Sequence, residues 1–187
     1  MSAKGTTTTT DFINYNTAYN TGVNLMKSKK TEIFGFYIIV AINTGLRTSD
    51  LKRLTYEDIK ADEIQIKEKK TNKLRCIKIN EHIKNALTKL TAPRQTGLIF
   101  LSQKNTVFST QHINRLMKKA FFTQALTNNI STHSLRKTFG RTVYERNNES
   151  EKALIVLSQA FKHSNIGLTR DYLGITQEEI DNIYLSI

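Results

Sequence analysis

Apolar residues recur along this chain with two different periods, and the change of period separates helical segments from β segments. Phe12, Tyr15 and Tyr19 fall at helical spacing and predict a first helix over residues 12–27. Residues 32–43 are apolar almost all round, which predicts a helix buried on every side. Gly45 is placed to end that helix with a positive φ. Thr48, Ser49 and Asp50 then offer N-cap oxygens for a short helix that turns Leu51 and Leu54 inward. From Glu63 the period drops to two. Ile64 and Ile66 alternate with polar residues, and so do Ile77 and Ile79 beyond a basic turn at residues 69–73. Two such runs around a short polar turn predict a β-hairpin, with residues 98–101 as a third strand. Helical spacing resumes over 81–90, 109–126, 132–146, 151–160, 166–173 and 177–184. The expected fold is mainly α with a small antiparallel β-sheet of about three strands. No internal repeat appears, and no second apolar cluster that would require a second domain.

Composition narrows the possibilities. The chain has 187 residues, of which one is proline and eight are glycine, so there is little room for a linker. The first residues, Met-Ser-Ala-Lys-Gly and five threonines, lack the apolar core of a signal peptide. They predict a flexible tail over residues 1–10, followed by one domain over 11–187. The longest apolar stretch, residues 33–42, is about half the roughly 20 residues that cross a bilayer. No membrane association is expected. Cys76 stands alone, which excludes an internal disulfide and a cysteine-based zinc cluster and suits a reducing cytosol. By the habits of free cysteine it is read as a small apolar strand residue. Lys and Arg number 28 against 16 Asp and Glu, a formal net charge of +12. The pI near 9.8 marks a binder of polyanions.

The candidate chemistry is that of a phosphodiester cut without a metal. Its transition state gathers charge on two non-bridging oxygens, and arginine answers with a planar fork that donates bidentately and keeps its proton. Arg47 and Arg136 are the candidates. A tyrosine phenol can attack once neighbouring cations or a base make it competent, and a lysine at the phosphate can protonate the leaving oxygen. His133 lies three residues before Arg136, one turn away on the same helix face, so imidazole and guanidinium can converge on one phosphate. Each piece alone is weak. A His-x-x-Arg pair in a basic helical protein is more often a solvated face, and a lone tyrosine is usually core. Tyr37, Tyr144 and Tyr184 are read as structural, Tyr144 packing inward and Tyr184 lying on the C-terminal helix. His82 and His112 lack partner ligands, and no His-x-His or carboxylate cluster suggests a metal site.

In order and local context, however, the pieces resemble the catalytic domain of the tyrosine recombinase (phage integrase) family. Box one is the turn Thr44-Gly45-Leu46-Arg47 with Asp50 three residues on; box two is His133-Ser134-Leu135-Arg136-Lys137-Thr138. The third match is His163, nine positions before Tyr172. The family's catalytic lysine sits in a β-hairpin turn about two dozen residues past the first arginine, where this chain has Lys70-Thr71-Asn72-Lys73. The resemblance covers residues 31–187 and implies the DNA breaking-rejoining enzyme fold. It implies that Arg47, Arg136 and His163 bind the scissile phosphate, that Lys70 protonates the 5′-oxygen, that His133 handles a proton, and that Tyr172 forms a 3′-phosphotyrosyl link. Lys73 remains open as the general acid. Lys69, Lys73, Lys137 and Lys162 are expected at DNA phosphates. The covalent link conserves the energy of the broken diester, so the resemblance implies no ATP, metal or other cofactor.

It also implies a site-specific recombinase or integrase of a mobile genetic element, cytoplasmic and nucleoid-associated, acting on double-stranded DNA. Self-association into a synaptic tetramer on DNA through a C-terminal helix is part of the same expectation, with the state in free solution, monomer included, left open. Members of the family usually carry a separate core-binding domain ahead of the catalytic one; here only about thirty residues precede the second helix, and no such domain is expected among residues 1–187. Two departures stand out: Phe161-Lys162 replaces the usual Leu-Gly before the second histidine, and the polar run at residues 147–150 lengthens the path from Arg136 to His163. A type IB topoisomerase-like activity shares the chemistry. A non-catalytic DNA-binding regulator on the same fold is the alternative outside enzymes. No aromatic-rich strand of the RNA-recognition type is present.

Overall fold

In the computed structural model, which describes residues 10–67, 74–91, 96–122, 129–175, 181–182 and 184–186, the longest apolar run forms the helix around which others pack. This is α2 (Glu32–Thr44), whose residues from Phe34 to Ile42 are all buried. It crosses α1 (Tyr15–Met26) closely because glycines face each other. A Cβ at Gly35 would stand 2.5 Å from the Gly22 carbonyl oxygen. The first helix starts at Tyr15 rather than Phe12, since the Asn14 side chain accepts from Asn16 and Thr17 N–H and caps it there. Phe12 lies outside the helix, beneath the Arg141 guanidinium at 4.8 Å.

Past Gly45 come α3 (Thr48–Leu51) and α4 (Tyr56–Lys60). The expected N-cap oxygens are not used: Arg47 holds the cap position of α3, and no side chain caps it. Thr48 Oγ1 instead accepts from the buried Tyr37 hydroxyl at 3.2 Å. The periodicity missed α4, which is too short to show a pattern but has a complete capping box between Thr55 and Asp58. Strands β1 (Glu63–Lys67) and β2 (Leu74–Lys78) pair antiparallel, with Ile64 opposite Ile77 and Ile66 opposite Arg75. Ile64 and Ile66 point into the core, as alternation requires.

The third strand does not form as a ladder. Among the described residues the sheet has two strands, while Leu98 and Leu101 make only isolated bridges to Thr55 and Val107. Cys76 is exposed, not buried, because it takes the outward register of β2. Helices α5 (Glu81–Leu87), α6 (Thr110–Phe121), α7 (Thr132–Arg146), α8 (Glu151–Phe161) and α9 (Ile166–Leu173) follow. Most of the tail, residues 123–126 of the helix predicted over 109–126 and most of the predicted C-terminal helix lie outside the described residues. Tyr184, near the C-terminus, is 76% exposed.

The apolar interior has two parts. The larger is built on α2 and reaches Leu135 in α7; the smaller gathers Tyr144, Leu154, Leu157, Phe161 and Leu173 from α7, α8 and α9. The second cluster was not apparent from sequence, since its members are spread thinly over three amphipathic helices. Helix α7 contributes to both clusters, and the functional residues lie where they meet. No described helix is long and apolar enough to cross a membrane.

Candidate active site

Helix α2 ends at Gly45, whose φ of +59° makes the turn that sends the chain back towards α7. A side chain there would strike the Phe139 ring, so the position needs glycine for space as well as conformation. The turn delivers Arg47, and its Nη2 donates to the Phe161 carbonyl at 2.9 Å. Arg136 reaches the same oxygen from α7, with Nη2 at 3.2 Å, while its Nη1 donates to the Gly45 carbonyl. Its guanidinium also lies 4.2 Å from the centroid of the Phe161 ring. Phe161 is the last residue of α8 and Gly45 caps α2, so both carbonyls belong to helix C-termini. These oxygens lack intrahelical donors and carry the negative end of the helix dipole. That is what lets two like charges converge in a site where Arg136 is only 5% exposed.

Box two begins α7. Ser131 caps the helix and exchanges hydrogen bonds with Ser134, which fixes the first turn. His133 therefore projects outward while Arg136, one turn on, points inward. The His133 ring is exposed at its edge yet crowded on its inner side. Desolvation, followed by the fields of Arg136, Lys137 and Arg47, holds its pKa below the ordinary imidazole value.

The third group rides on α8 and α9. Asn165 caps α9 through Leu168 N–H, and the helix then carries Tyr172 back over the end of α8. His163 Nδ1 pairs with Thr169 Oγ1 at 2.9 Å, and Thr169 is wholly buried. The Tyr172 ring meets His163 and Phe161 edge-on, with centroids 5.4 and 5.6 Å apart. Its hydroxyl donates to the His133 carbonyl oxygen at 3.4 Å. Burial pushes the phenol pKa up to about 12, outweighing the fields of Arg136 and Arg47 that lower it. Arg47, His133, Arg136, His163 and Tyr172 are thus brought together, across 125 residues of sequence.

The lysines behave differently. Lys69, Lys70 and Lys73 lie in residues 68–73, outside the described residues. Lys137 was expected at a DNA phosphate but is 6% exposed, its ammonium 5.6 Å from the Tyr172 ring centroid. Desolvation lowers its pKa. The residue after Arg136 falls on the packed side of α7, which the box-two motif alone does not reveal. Lys162 is exposed and takes a left-handed conformation, φ +56°, at the C-cap of α8. There the side chain stands where glycine is the unstrained choice. Lys162→Gly is expected to stabilise the fold by about 1 kcal/mol. Thermal unfolding should move up by about 2–4 °C, with loss of one surface cation.

Sequence reasoning missed the Phe161 carbonyl, a backbone acceptor with no side-chain signature, and Thr169. The latter shows only as a threonine three residues before Tyr172. Among the described residues no three His, Cys, Asp or Glu side chains group as metal ligands do. A separate cavity lined by Ile33, Phe34, Leu98, Phe108 and Leu116 does not include these residues.

The profile of the phage integrase family matches residues 16–179. A probable integrase/recombinase, YoeC of Bacillus subtilis, is 31% identical over 82% of the chain and 83% of its own length. Tyrosine recombinase XerC of Caldanaerobacter subterraneus is 28% identical over 76% of the chain but 41% of its own length. Among solved structures, XerH site-specific recombinase bound to difH substrate, a pre-cleavage complex, superposes with a TM-score of 0.68 at 20% identity. That match covers 88% of this chain and 50% of XerH, so the chain spans half or less of the two Xer proteins.

Proposed function

This chain belongs to the phage integrase family, and from that premise we propose that it is a site-specific DNA recombinase acting through a 3′-phosphotyrosyl intermediate. The observation that carries the reading is the convergence of Arg47 and Arg136 on the Phe161 carbonyl, with the Tyr172 ring packed edge-on against Phe161. A scissile phosphate placed there meets both guanidinium forks and His163 at its non-bridging oxygens. The Tyr172 hydroxyl gives up its proton, with His133 as the acceptor at hand, and its oxygen bonds to phosphorus. The bond from phosphorus to the 5′-oxygen breaks, and Lys70 supplies the proton that leaves with it. Religation runs the same steps backwards from a 5′-hydroxyl on another strand. The diester energy is retained throughout.

The substrate class follows from charge. Arg115, Lys118 and Lys119 stand exposed on α6, and Asn114 on the same helix accepts from Thr132 N–H at 2.9 Å. A basic helix tied to the residue before His133 suits a duplex laid across the site, with phosphate contacts giving strongly salt-dependent affinity. Such an enzyme works in the cytoplasm, at the nucleoid. Incubation with nicked duplexes of candidate ends tests the reading. A covalent protein–DNA adduct mapped to Tyr172 is expected, and an adduct at another residue, or none on any duplex, overturns it. Relaxation of supercoils without exchange between two sites would favour the topoisomerase-like alternative.

Assembly into a synaptic tetramer is part of the proposal. Ile155 and Val156 on α8 and Leu168 on α9 are 40%, 52% and 48% exposed. Tyr184 and Leu185, near the C-terminus, are 76% and 83% exposed. Exposed apolar residues on α8 and α9 and near the C-terminus, among the described residues, suit a heterologous contact that closes into a ring. Deleting residues 177–187 should reduce paired-site complexes at least tenfold (about 1.4 kcal/mol) while single-site cleavage persists. Equal loss of both, read by gel shift and adduct yield, would point to a folding defect.

A further inference from the structure

Helix α2 ends on the turn that delivers Arg47, and its last carbonyls have no intrahelical donors. Gly45 N–H takes the Ala41 oxygen at 3.0 Å. Two further acceptors at the turn, the Thr44 and Gly45 carbonyls, are served by guanidiniums from different parts of the fold. Arg75, on β2, donates from Nη2 to the Thr44 carbonyl at 3.1 Å, and Arg136, on α7, donates to the Gly45 carbonyl. Thr44 is buried, with its own hydroxyl donated to the Val40 carbonyl at 2.8 Å. The two bonds hold successive peptide units just ahead of Arg47, at the negative pole of α2, where cations are most stabilising.

We propose that Arg75 is a positioning residue for Arg47: by clamping the Thr44 carbonyl it sets the aim of the Arg47 fork at the scissile phosphate. The inference deepens the functional reading above and rests on the phosphate-binding role given there to Arg47. Arg136 holds the turn from one side only. Without Arg75, the Thr44 peptide unit is free to rotate about Gly45, the most permissive residue in the segment. A fork displaced by 1 Å costs up to about a hundredfold in rate.

Single-turnover cleavage of a nicked duplex tests this, with either a natural scissile phosphate or a neutral methylphosphonate at that position. Arg75→Ala should slow cleavage of the natural duplex roughly tenfold to a hundredfold. The double variant with Arg47→Ala should be no slower than Arg47→Ala alone, because Arg75 acts only through that fork. On the methylphosphonate, where a non-bridging oxygen and its charge are gone, the gap between Arg75→Ala and the parent should close to within about threefold. Additive losses would mean that Arg75 acts on DNA directly, and a gap equal on both duplexes would mean a general defect of fold; either overturns the proposal. If Arg75→Ala does not fold, Arg75→Met carries the same comparison, since it keeps an apolar stem of similar length and offers no donor to the Thr44 carbonyl. Failure of the underlying reading looks different, because Arg47→Ala itself would then cleave the natural duplex at the parent rate.

Discussion

Tyr172→Phe abolishes the covalent adduct, with no product above background after times that convert the parent fully, while DNA affinity stays within about twofold (roughly 0.4 kcal/mol). The change removes one oxygen and leaves the ring, so the edge-on contacts to His163 and Phe161 that seat α9 against α8 persist. Loss of the adduct with retained binding can then be assigned to the nucleophile. An adduct in the Phe variant would sink the assignment. The pH dependence follows from the same environment. Burial raises the phenol pKa to about 12 from 10.0, so at neutral pH Tyr172 keeps its proton and a base must take it in the transition state. The cleavage rate should therefore rise with pH as that base loses its proton and level off once it is neutral. His133 has its pKa lowered from 6.5, so its neutral, proton-accepting form survives below that value and the acid limb of the profile lies there. His133→Gln should lower the rate and remove that limb. For stability the sign is the reverse of the depressed-carboxylate case. The raised phenol contributes stability that is complete below pH 10 and lost as pH climbs towards 12. Tyr172→Phe lacks that alkaline loss.

Much of this arrangement was legible in the sequence wherever a local signal set an element's ends. Helices α7 and α9 match their predicted spans because Ser131 and Asn165 cap them and Gly174 stops the second. Helix α2 was legible from an apolar run that only burial on all sides explains. The convergence of box one, box two and His163 with Tyr172 came from resemblance; periodicity alone left each piece weak. What stayed hidden depends on long-range packing. Nothing local tells that Lys137 lies under Tyr172, that Cys76 faces outward, or that residues 98–101 find no strand partner. Backbone acceptors are hidden altogether: the Phe161 and Thr44 carbonyls have no letter of their own, although they organise three arginines. The Phe161-Lys162 departure from Leu-Gly was visible, but its meaning was conformational. Lys162 keeps the left-handed turn that a glycine makes without strain, so the turn, and with it the Phe161 oxygen, is preserved.

Arg136→Ala carries the second large effect, and it should appear in stability as well as in chemistry. The side chain is 5% exposed and bonds the Gly45 and Phe161 carbonyls while covering the Phe161 ring. Truncation strips one carbonyl of a donor, leaves the other with Arg47 alone, and opens a void between the two apolar clusters. Orphaning a buried acceptor of this kind costs about 1–3 kcal/mol, and the lost packing adds to it. A total near 3 kcal/mol lowers the unfolding midpoint by roughly 6–12 °C for a domain of this size. Cleavage by the fraction still folded should fall about a thousandfold, the upper range for removing one preorganised donor from a developing charge. Arg136→Lys separates the two effects. An ammonium keeps the charge and can serve one carbonyl, but it cannot span Gly45, Phe161 and a phosphate from a single nitrogen. It should therefore recover about half of the lost stability and no more than about tenfold of the lost rate. If Arg136→Lys instead regained rate and stability in parallel, the guanidinium would be acting as a structural cation, and the phosphate would have to be held by other groups.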